Sequence, residues 1–224
     1  MSTNNKFQEP EVNVEEALSK TEKFFETYKN HIVYGSIAIV AVVAAVMLFH
    51  HFVTVPAQQE AMSQTFTAEQ YFRVGEFEKA LNGDGNALGF NQIISEYGSK
   101  SGEAVYFYAG VCNLQLGNFD EAIKNLKNYK SDDAIMNARA LACIGDAYAA
   151  QNDFASALSN YKSAAAASDN ILAANYLLKA GIICEEMGKT AEALAFYQQI
   201  KDKYPASPEG YEINKYISRI EIAK

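Results

Sequence analysis

Histidine is the side chain that acid–base and metal chemistry most often needs, and all three histidines of this chain lie in or beside one apolar segment. His31 opens that segment, and His50 and His51 close it. No histidine remains elsewhere for a catalytic triad or a metal site, and no Gly-rich phosphate loop is present. We therefore expect no catalytic residues, no metal and no cofactor, in a protein that is not an enzyme.

The cysteines and the charge balance argue against further classes of protein. Cys112, Cys143 and Cys184 lack metal-ligand spacing, and their odd number argues against a disulfide framework, so we expect them in the core. The chain of 224 residues carries a formal net charge of −8 and no basic patch. Because nucleic-acid binding needs such a patch, we expect no nucleic acid among the partners. Because no catalytic residues are expected, we also expect no small-molecule substrate.

One segment is apolar enough to cross a membrane. No Asp, Glu, Lys or Arg occurs from Asn30 to Gln59, and the 18 residues from Ile32 to Phe49 are almost all aliphatic. At about 1.5 Å per residue, a helix of this length crosses the hydrocarbon core of a bilayer. We predict a transmembrane helix at residues 31–55.

The flanking charges predict the orientation of this helix. Three lysines closely precede the span, whereas no basic residue follows it until Arg73. Because Lys and Arg are retained on the cytoplasmic side, we expect an N-terminus inside the cytoplasmic (inner) membrane and residues 56–224 in the periplasm. A cleaved signal peptide is the alternative, since small residues surround Pro56, although the apolar run is longer than that of a signal.

Residues 1–30 form the predicted cytoplasmic segment. Asn13 is suited to cap a helix over residues 14–29, with Glu16 completing a capping box. Leu18 and Phe25 share one face of that helix. The pattern predicts a short amphipathic helix on the membrane surface or against a partner, and a plain extension of the span is the alternative.

Three glycines mark an internal repeat. Gly110, Gly145 and Gly181 are separated by 35 and 36 residues. Alanine follows each glycine after twelve residues, and leucine or tyrosine follows four residues later. Small residues at a fixed period allow two helices to approach closely, while large residues wedge between neighbouring helices. The following positions are Ala122, Ala157 and Ala193, then Leu126, Tyr161 and Tyr197, with turn residues Gly117, Asn152 and Gly188 between the helices.

A weaker repeat precedes these three. Ala68 stands where glycine is expected, and Ala80 matches the start of the second helix. The 42 residues from Ala80 to Ala122 are about seven too many for one repeat. We attribute the excess to a loop at residues 82–86, after which the second helix resumes near Ala87.

This pattern resembles the tetratricopeptide repeat (TPR), in which Gly, Ala and aromatic residues recur over about 34 residues. The resemblance implies an all-α fold, in which a single transmembrane helix is followed by a TPR-type αα-hairpin superhelix with a C-terminal capping helix. We expect about nine helices in the superhelix. The predicted repeats lie at about 61–97, 103–136, 138–171 and 174–207, and the cap lies at 209–223.

The resemblance also implies a concave face lined by the first helix of each hairpin. This face combines apolar patches with an acidic edge, so we expect it to bind an apolar or weakly basic polypeptide segment. The alternative is that several of these side chains pack against neighbouring helices. The candidate groove residues are Phe107, Val111, Leu114, Arg139, Asp146, Leu178, Ile182 and Glu185, and the same positions include Ala142 and Asn175.

The order of the elements resembles the bacterial ancillary Sec-translocon subunit family, from Val14 to Tyr71 for architecture and from Glu103 to Tyr204 for the repeats. That resemblance implies a membrane-anchored adaptor that meets Sec translocon subunits, periplasmic chaperones or exported polypeptides. Two alternatives stay open. One is a structural scaffold of another envelope complex, for outer-membrane assembly, secretion or wall synthesis, and the other is an accessory protein that regulates a partner enzyme.

Overall fold

The computed structural model describes residues 14–167 and 169–222, and these form helices and turns with no strand. The chain divides into two compact units, Met1–Val55 and Pro56–Lys224. From residue 14 onward, the first unit contains helix α1 (Val14–Phe49) and a π-helical turn at His50–Thr54. The predicted all-α fold is confirmed.

Helix α1 is apolar over most of its length, and its aliphatic side chains are exposed. The helical stretch Glu22–Arg73 is long and apolar enough to cross a membrane, with a mean hydropathy of 2.7 in its most apolar part. Helix α1 runs without a break through the end of the predicted amphipathic segment. The predicted cap Asn13 lies outside the described residues, as do the side chains of Glu16 and Leu18.

The second unit is a series of helical hairpins followed by a last helix. Its described residues form ten α-helices rather than about nine, because the second helix of the first hairpin is split in two. The helices are α2 (Val55–Arg73), α3 (Phe77–Asn82), α4 (Phe90–Tyr97), α5 (Glu103–Gln115), α6 (Phe119–Asn128), α7 (Ala134–Ala150), α8 (Phe154–Ala167), α9 (Ala173–Glu186), α10 (Thr190–Lys203) and α11 (Pro208–Ile222).

The hairpin turns share one geometry. In the second hairpin the Gly117 N–H donates to the Leu114 carbonyl at 3.2 Å, and the Asn118 N–H donates to the Asn113 carbonyl at 2.8 Å. This pair of bonds is the Schellman motif, which needs a left-handed residue and therefore favours Gly or Asn. The three predicted turns are confirmed, and the first hairpin adds a fourth. The left-handed residues are Gly75, Gly117, Asn152 and Gly188, with φ of 80°, 79°, 61° and 70°.

Small residues bring the two helices of each hairpin into contact. A Cβ placed on Gly145 would lie 2.6 Å from the Tyr161 ring, and one on Gly181 would lie 2.2 Å from the Tyr197 ring. These distances are shorter than any van der Waals contact, so only glycine fits against the ring. The predicted period of glycine and large residue is therefore the packing period of the hairpins.

The first hairpin departs from this pattern. Helix α3 ends at Asn82 and α4 begins at Phe90, so the second helix resumes three residues later than the predicted Ala87. The carboxylate of Asp84 accepts two backbone N–H groups of the intervening loop, at 2.9 and 2.8 Å, and the Tyr71 hydroxyl at 2.7 Å. These bonds hold the loop as a folded connection rather than a continuing helix.

Two boundaries also differ from the predicted repeats. Helix α7 begins at Ala134 instead of residue 138, because Asp133 caps it by accepting the N–H groups of Ile135 and Met136. The predicted second repeat, 103–136, therefore ends inside the third hairpin. Helix α11 packs three isoleucines against the fourth hairpin, as expected for a cap, and residue 223 lies outside the described residues.

Candidate polypeptide-binding groove

Helices α7 and α9, the first helices of the third and fourth hairpins, form the walls of a groove of about 400 Å³. Counted from Ile135, its lining on α7 falls at positions i, i+4, i+7, i+8 and i+11, which places these side chains on one face of the helix. The lining from Leu172 to Lys179 recurs in the same way. The complete lining is Ile135, Arg139, Ala142, Cys143, Asp146, Leu172, Asn175, Tyr176 and Lys179.

The mouth of the groove is apolar and open. Ile135 lies in the first turn of α7 and Leu172 immediately precedes α9, and the two residues are 43% and 42% exposed. Ala142 and Tyr176 are buried at the base of the walls. Two exposed aliphatic side chains that line the same cavity provide apolar area that a bound partner would remove from water.

An ion pair joins the two walls. The Lys179 Nζ on α9 donates to both carboxylate oxygens of Asp146 on α7, at 2.7 and 2.8 Å. The Tyr161 hydroxyl on α8 donates to the same carboxylate at 2.7 Å. Burial and the adjacent Asp146 charge raise the pKa of Tyr161 above its ordinary value of 10.0. Asp146 therefore connects three helices and holds the width of the groove.

Arg139 is the free cation of the groove. Its guanidinium carbon lies 5.8 Å from the centre of the Phe107 ring, a cation–π contact, and the side chain is otherwise exposed. Among the residues that the structure describes, none supplies Arg139 with a carboxylate. The ring positions the guanidinium, one Nη of which also donates to the Met136 sulfur at 3.9 Å, and its other donors stay available to solvent or a ligand.

Cys143 is the thiol of the groove, and it is half-buried between charged side chains. Burial, and then the Asp146 carboxylate, raises its pKa to about 11, although Lys179 and Arg139 oppose the shift. A thiol with this pKa is neutral near pH 7 and reacts slowly as a nucleophile. Cys112 and Cys184 are buried in the core, as predicted, whereas Cys143, which was also predicted to lie there, is only partly buried and lines the groove.

The structure brings together only part of the predicted groove. Arg139 and Asp146 line it, as do Ala142 and Asn175. Phe107 is only 5% exposed and packs in a core cluster between α5, α6 and α7. The remaining predicted residues lie outside this groove. Val111 and Leu114 pack against the Phe107 cluster, Leu178 packs against the fourth-hairpin core, and Ile182 is 37% exposed.

Glu185 belongs to a second polar link, one hairpin further on. It accepts the Tyr197 hydroxyl of α10 at 2.5 Å and the Arg219 guanidinium of α11 at 2.6 Å. Burial raises the pKa of Tyr197, and the hydrogen bond to Glu185 raises it further. The acidic edge predicted from Asp146 and Glu185 is therefore largely neutralised by partner cations.

Sequence reasoning missed five lining residues, and for two of them a signal was present. Asp133 is a strong N-cap residue, and its recognition would have started α7 early enough to include Ile135. Lys179 lies on the face of α9 that carries Asn175, one turn further on. The other missed residues are Cys143, Leu172 and Tyr176.

The groove is not built for a metal ion. In the described part of the chain, no three His, Cys, Asp or Glu side chains lie close enough together to hold one. The chemistry that the lining supports is non-covalent: apolar contact at the mouth, a guanidinium that can donate two hydrogen bonds, and a fixed ion pair at the far end.

Known proteins resemble this chain in its repeats. Models of the tetratricopeptide repeat match residues 104–133 and 144–208. Fifteen chains of solved structures match. One of them, the crystal structure of MamA protein, has a TM-score of 0.53 and 17% identity, over 73% of this chain and 86% of that chain. No curated protein matches.

The family models and the hairpin geometry agree that this chain carries tetratricopeptide repeats. The likeness to MamA, at its low identity, establishes the fold alone. The predicted TPR-type hairpin fold is confirmed, and the resemblance to ancillary Sec-translocon subunits stays a prediction.

Proposed function

We propose that this chain is a membrane-anchored TPR adaptor whose groove between α7 and α9 binds a polypeptide partner. The observation that carries the proposal is the lining, which contains exposed Ile135 and Leu172 and the guanidinium of Arg139, a cation without a carboxylate partner among the described residues. Single exposed aliphatic residues are common on protein surfaces, but here two of them border one cavity together with a cation, which is an arrangement that a partner can use. Concave faces of helical repeats are extended binding surfaces of this kind.

A second cleft shows that the lining matters more than the volume. A cleft of about 380 Å³ lies between α8 and α10, so it is nearly as large as the groove. It is lined mainly by polar residues such as Ser159 and Ser163, and its Lys162 is paired with Glu192 at 3.6 Å. This surface lacks the exposed large aliphatic side chains of the groove, since its Leu158 is only 7% exposed, so it serves as a control surface.

The apolar helix supports the anchoring half of the proposal. The exposed aliphatic side chains of α1 match a lipid environment better than water. In this proposal the helix crosses the inner membrane once, with the N-terminus in the cytoplasm and residues 56–224 in the periplasm. The groove there meets Sec translocon subunits, periplasmic chaperones or exported polypeptides, and acts by binding rather than by catalysis.

One observation favours the second candidate, a structural scaffold of another envelope complex. Phe107, Val111 and Leu114, which were expected to face a ligand, pack against their own chain. The concave face is therefore partly filled beside α5, as a scaffold would be. The open part between α7 and α9 is what favours the adaptor.

Mild-detergent purification with mass spectrometry distinguishes these functions. Tagged full-length chain is compared with Ala142→Arg, which introduces a large cation at a buried position of the groove wall, and with Ser159→Arg on the control surface. Circular dichroism of each variant checks that it is folded. The proposal predicts translocon subunits, chaperones or exported polypeptides with full-length chain and Ser159→Arg, and their loss from Ala142→Arg. A chain without residues 1–55 should lose any translocon subunits. Equal recovery of one other envelope complex from both arginine variants would favour the scaffold.

A further inference from the structure

The charges of the groove identify the chemistry of its occupant. The lining holds two cations, Arg139 and Lys179, and one anion, Asp146, so it carries a net charge of +1 in a chain whose net charge is −8. Asp146 is already satisfied by Lys179 and Tyr161. The one unmet charge is the guanidinium of Arg139, and its complement is a carboxylate.

The spacing of Ile135 and Arg139 indicates how far apart the matching side chains of an occupant must be. Ile135 and Arg139 are four residues apart on α7, which is about 6 Å along the helix axis. Two side chains on the same face of an extended chain, at i and i+2, are about 6.6 Å apart. An extended segment with an aliphatic and a polar side chain at these two positions therefore matches the spacing of Ile135 and Arg139.

We propose that the occupant is an extended polypeptide segment with an aliphatic side chain two residues from an acidic one. The aliphatic side chain contacts Ile135 and Leu172 at the mouth, and the carboxylate pairs with Arg139. This inference rests on the proposed function and replaces the apolar or weakly basic segment expected from the sequence. The Phe107 ring beneath the guanidinium holds it in place, so little side-chain entropy is lost on binding.

Matched synthetic peptides test the charge and the spacing. The probe is a fluorescein-labelled nonapeptide of Gly and Ser with one central Leu and a Glu two residues to each side, so that both chain directions are sampled. One control carries Gln in place of both Glu residues, and another carries Lys. A third keeps both Glu residues but moves them next to Leu, which turns them to the opposite face of an extended chain.

Fluorescence anisotropy with detergent-solubilised full-length chain measures the affinities. We expect the Glu probe to bind about fivefold more tightly than the Gln peptide and the shifted Glu peptide, the scale of one exposed ion pair. Arg139→Gln should abolish this preference, and Arg139→Glu should prefer the Lys peptide. Lys201→Gln, which removes an exposed cation on α10 outside the groove, should behave as the unchanged chain.

The outcomes separate the two proposals. Equal binding of all four peptides, or a Glu preference that survives in Arg139→Gln, overturns the acidic segment. If Ala142→Arg still abolishes that equal binding, the groove remains a polypeptide site and the proposed function stands. Both proposals fail if Ala142→Arg leaves every peptide affinity unchanged. They also fail if no peptide binds and Ala142→Arg recovers the same partners as the unchanged chain.

Discussion

The fourth hairpin and the first hairpin share a turn but differ in how their helices meet. In the fourth, Gly181 lies directly against the ring of Tyr197, sixteen residues further along the chain. In the first, Ala68 takes the place of the glycine, and the residue sixteen positions on is Asp84, which lies in a loop. No aromatic ring is there to demand glycine, and the second helix is interrupted at the same point. The missing ring and the split helix are two consequences of one change in the repeat.

The hydrogen bonds between tyrosines and carboxylates also differ between the first hairpin and the later ones. In the third and fourth hairpins a buried tyrosine donates to a carboxylate that also binds a cation from the helix following the hairpin, as Tyr161, Asp146 and Lys179 do. In the first hairpin the tyrosine–carboxylate pair, Tyr71 and Asp84, closes a loop instead. These links therefore join the third and fourth hairpins to the helix that follows each of them, whereas the Tyr71–Asp84 bond joins residues of the first hairpin only.

The largest expected change in stability comes from replacing Gly181, the small residue of the fourth hairpin. Gly181→Ala should lower the free energy of unfolding by about 2 kcal/mol, because its Cβ would overlap the Tyr197 ring. At an exposed helical site Gly→Ala normally stabilises by about 0.5–1 kcal/mol, so the sign alone is informative. Urea unfolding of the full-length chain, followed by circular dichroism, measures the change.

The first hairpin supplies the comparison for that measurement. Ala68→Gly should cost only about 1 kcal/mol, through helix propensity and a small cavity. Ala166→Gly at an exposed site of α8 controls for propensity alone. A Gly181→Ala variant that is as stable as the unchanged chain would show that the close Gly–Tyr contact does not limit the packing.

A smaller loss of stability is expected when the hydrogen bond between Tyr161 and Asp146 is removed. Tyr161→Phe should lower stability by about 1–2 kcal/mol near pH 7, because the hydroxyl bond to the Asp146 carboxylate is lost. The raised pKa of Tyr161 means that its contribution is complete below pH 10 and is lost as the pH rises above 10.

The pH dependence tests the same link independently. Unfolding curves between pH 8 and 11 should show that the unchanged chain loses more stability above pH 10 than Tyr161→Phe does. Parallel curves for the two proteins would contradict the assigned role of the Tyr161 hydroxyl.

The loop of the first hairpin should lose stability at acid pH, whereas the Tyr161 link loses stability at alkaline pH. Its hydrogen bonds, first among them that from Tyr71, lower the pKa of Asp84 to about 2 from the ordinary 3.8. The stability that it contributes is therefore present above about pH 4 and is lost as the pH falls toward 2. Hydrogen exchange at the backbone N–H groups of Asn86 and Ala87 should accelerate in Asp84→Asn, and Asp202→Asn on α10 serves as the control.

The smallest expected effect concerns the rate at which the Cys143 thiol in the groove is alkylated. Because the pKa of Cys143 is raised to about 11, its alkylation by N-ethylmaleimide should be slow at pH 7 and rise about tenfold per pH unit until near pH 11. Asp146→Asn should speed this reaction, because the carboxylate contributes to the raised pKa. Mass spectrometry of the modified peptide measures the rate, and a rate that stays constant from pH 7 to 9 would contradict the assigned burial.

The hairpins could be predicted from the sequence because their determinants are local. Gly117, Asn152 and Gly188 mark left-handed turns, and a glycine sixteen residues before a tyrosine marks a helix pair. Each signal acts within one hairpin, so a single repeat period is enough to read it.

The groove was less predictable because it depends on how successive hairpins rotate against each other. Phe107 and Arg139 both occupy groove positions of the repeat, yet one is buried and the other exposed. Their difference arises from packing between α5 and α7, and the repeat pattern does not encode that rotation. Similarly, the pairing of Glu185 with Arg219 depends on how α11 packs against α9.

The central claim is that a polypeptide binds between α7 and α9, and site-specific photo-crosslinking in living cells tests it most directly. A benzophenone amino acid replaces Ile135 or Leu172 at the mouth of the groove, and replaces Ser159 on the control surface. The account predicts discrete protein adducts from both groove positions, absent from position 159 and abolished when Ala142→Arg is added. Adducts from position 159 alone, or groove adducts that persist in Ala142→Arg, would contradict it.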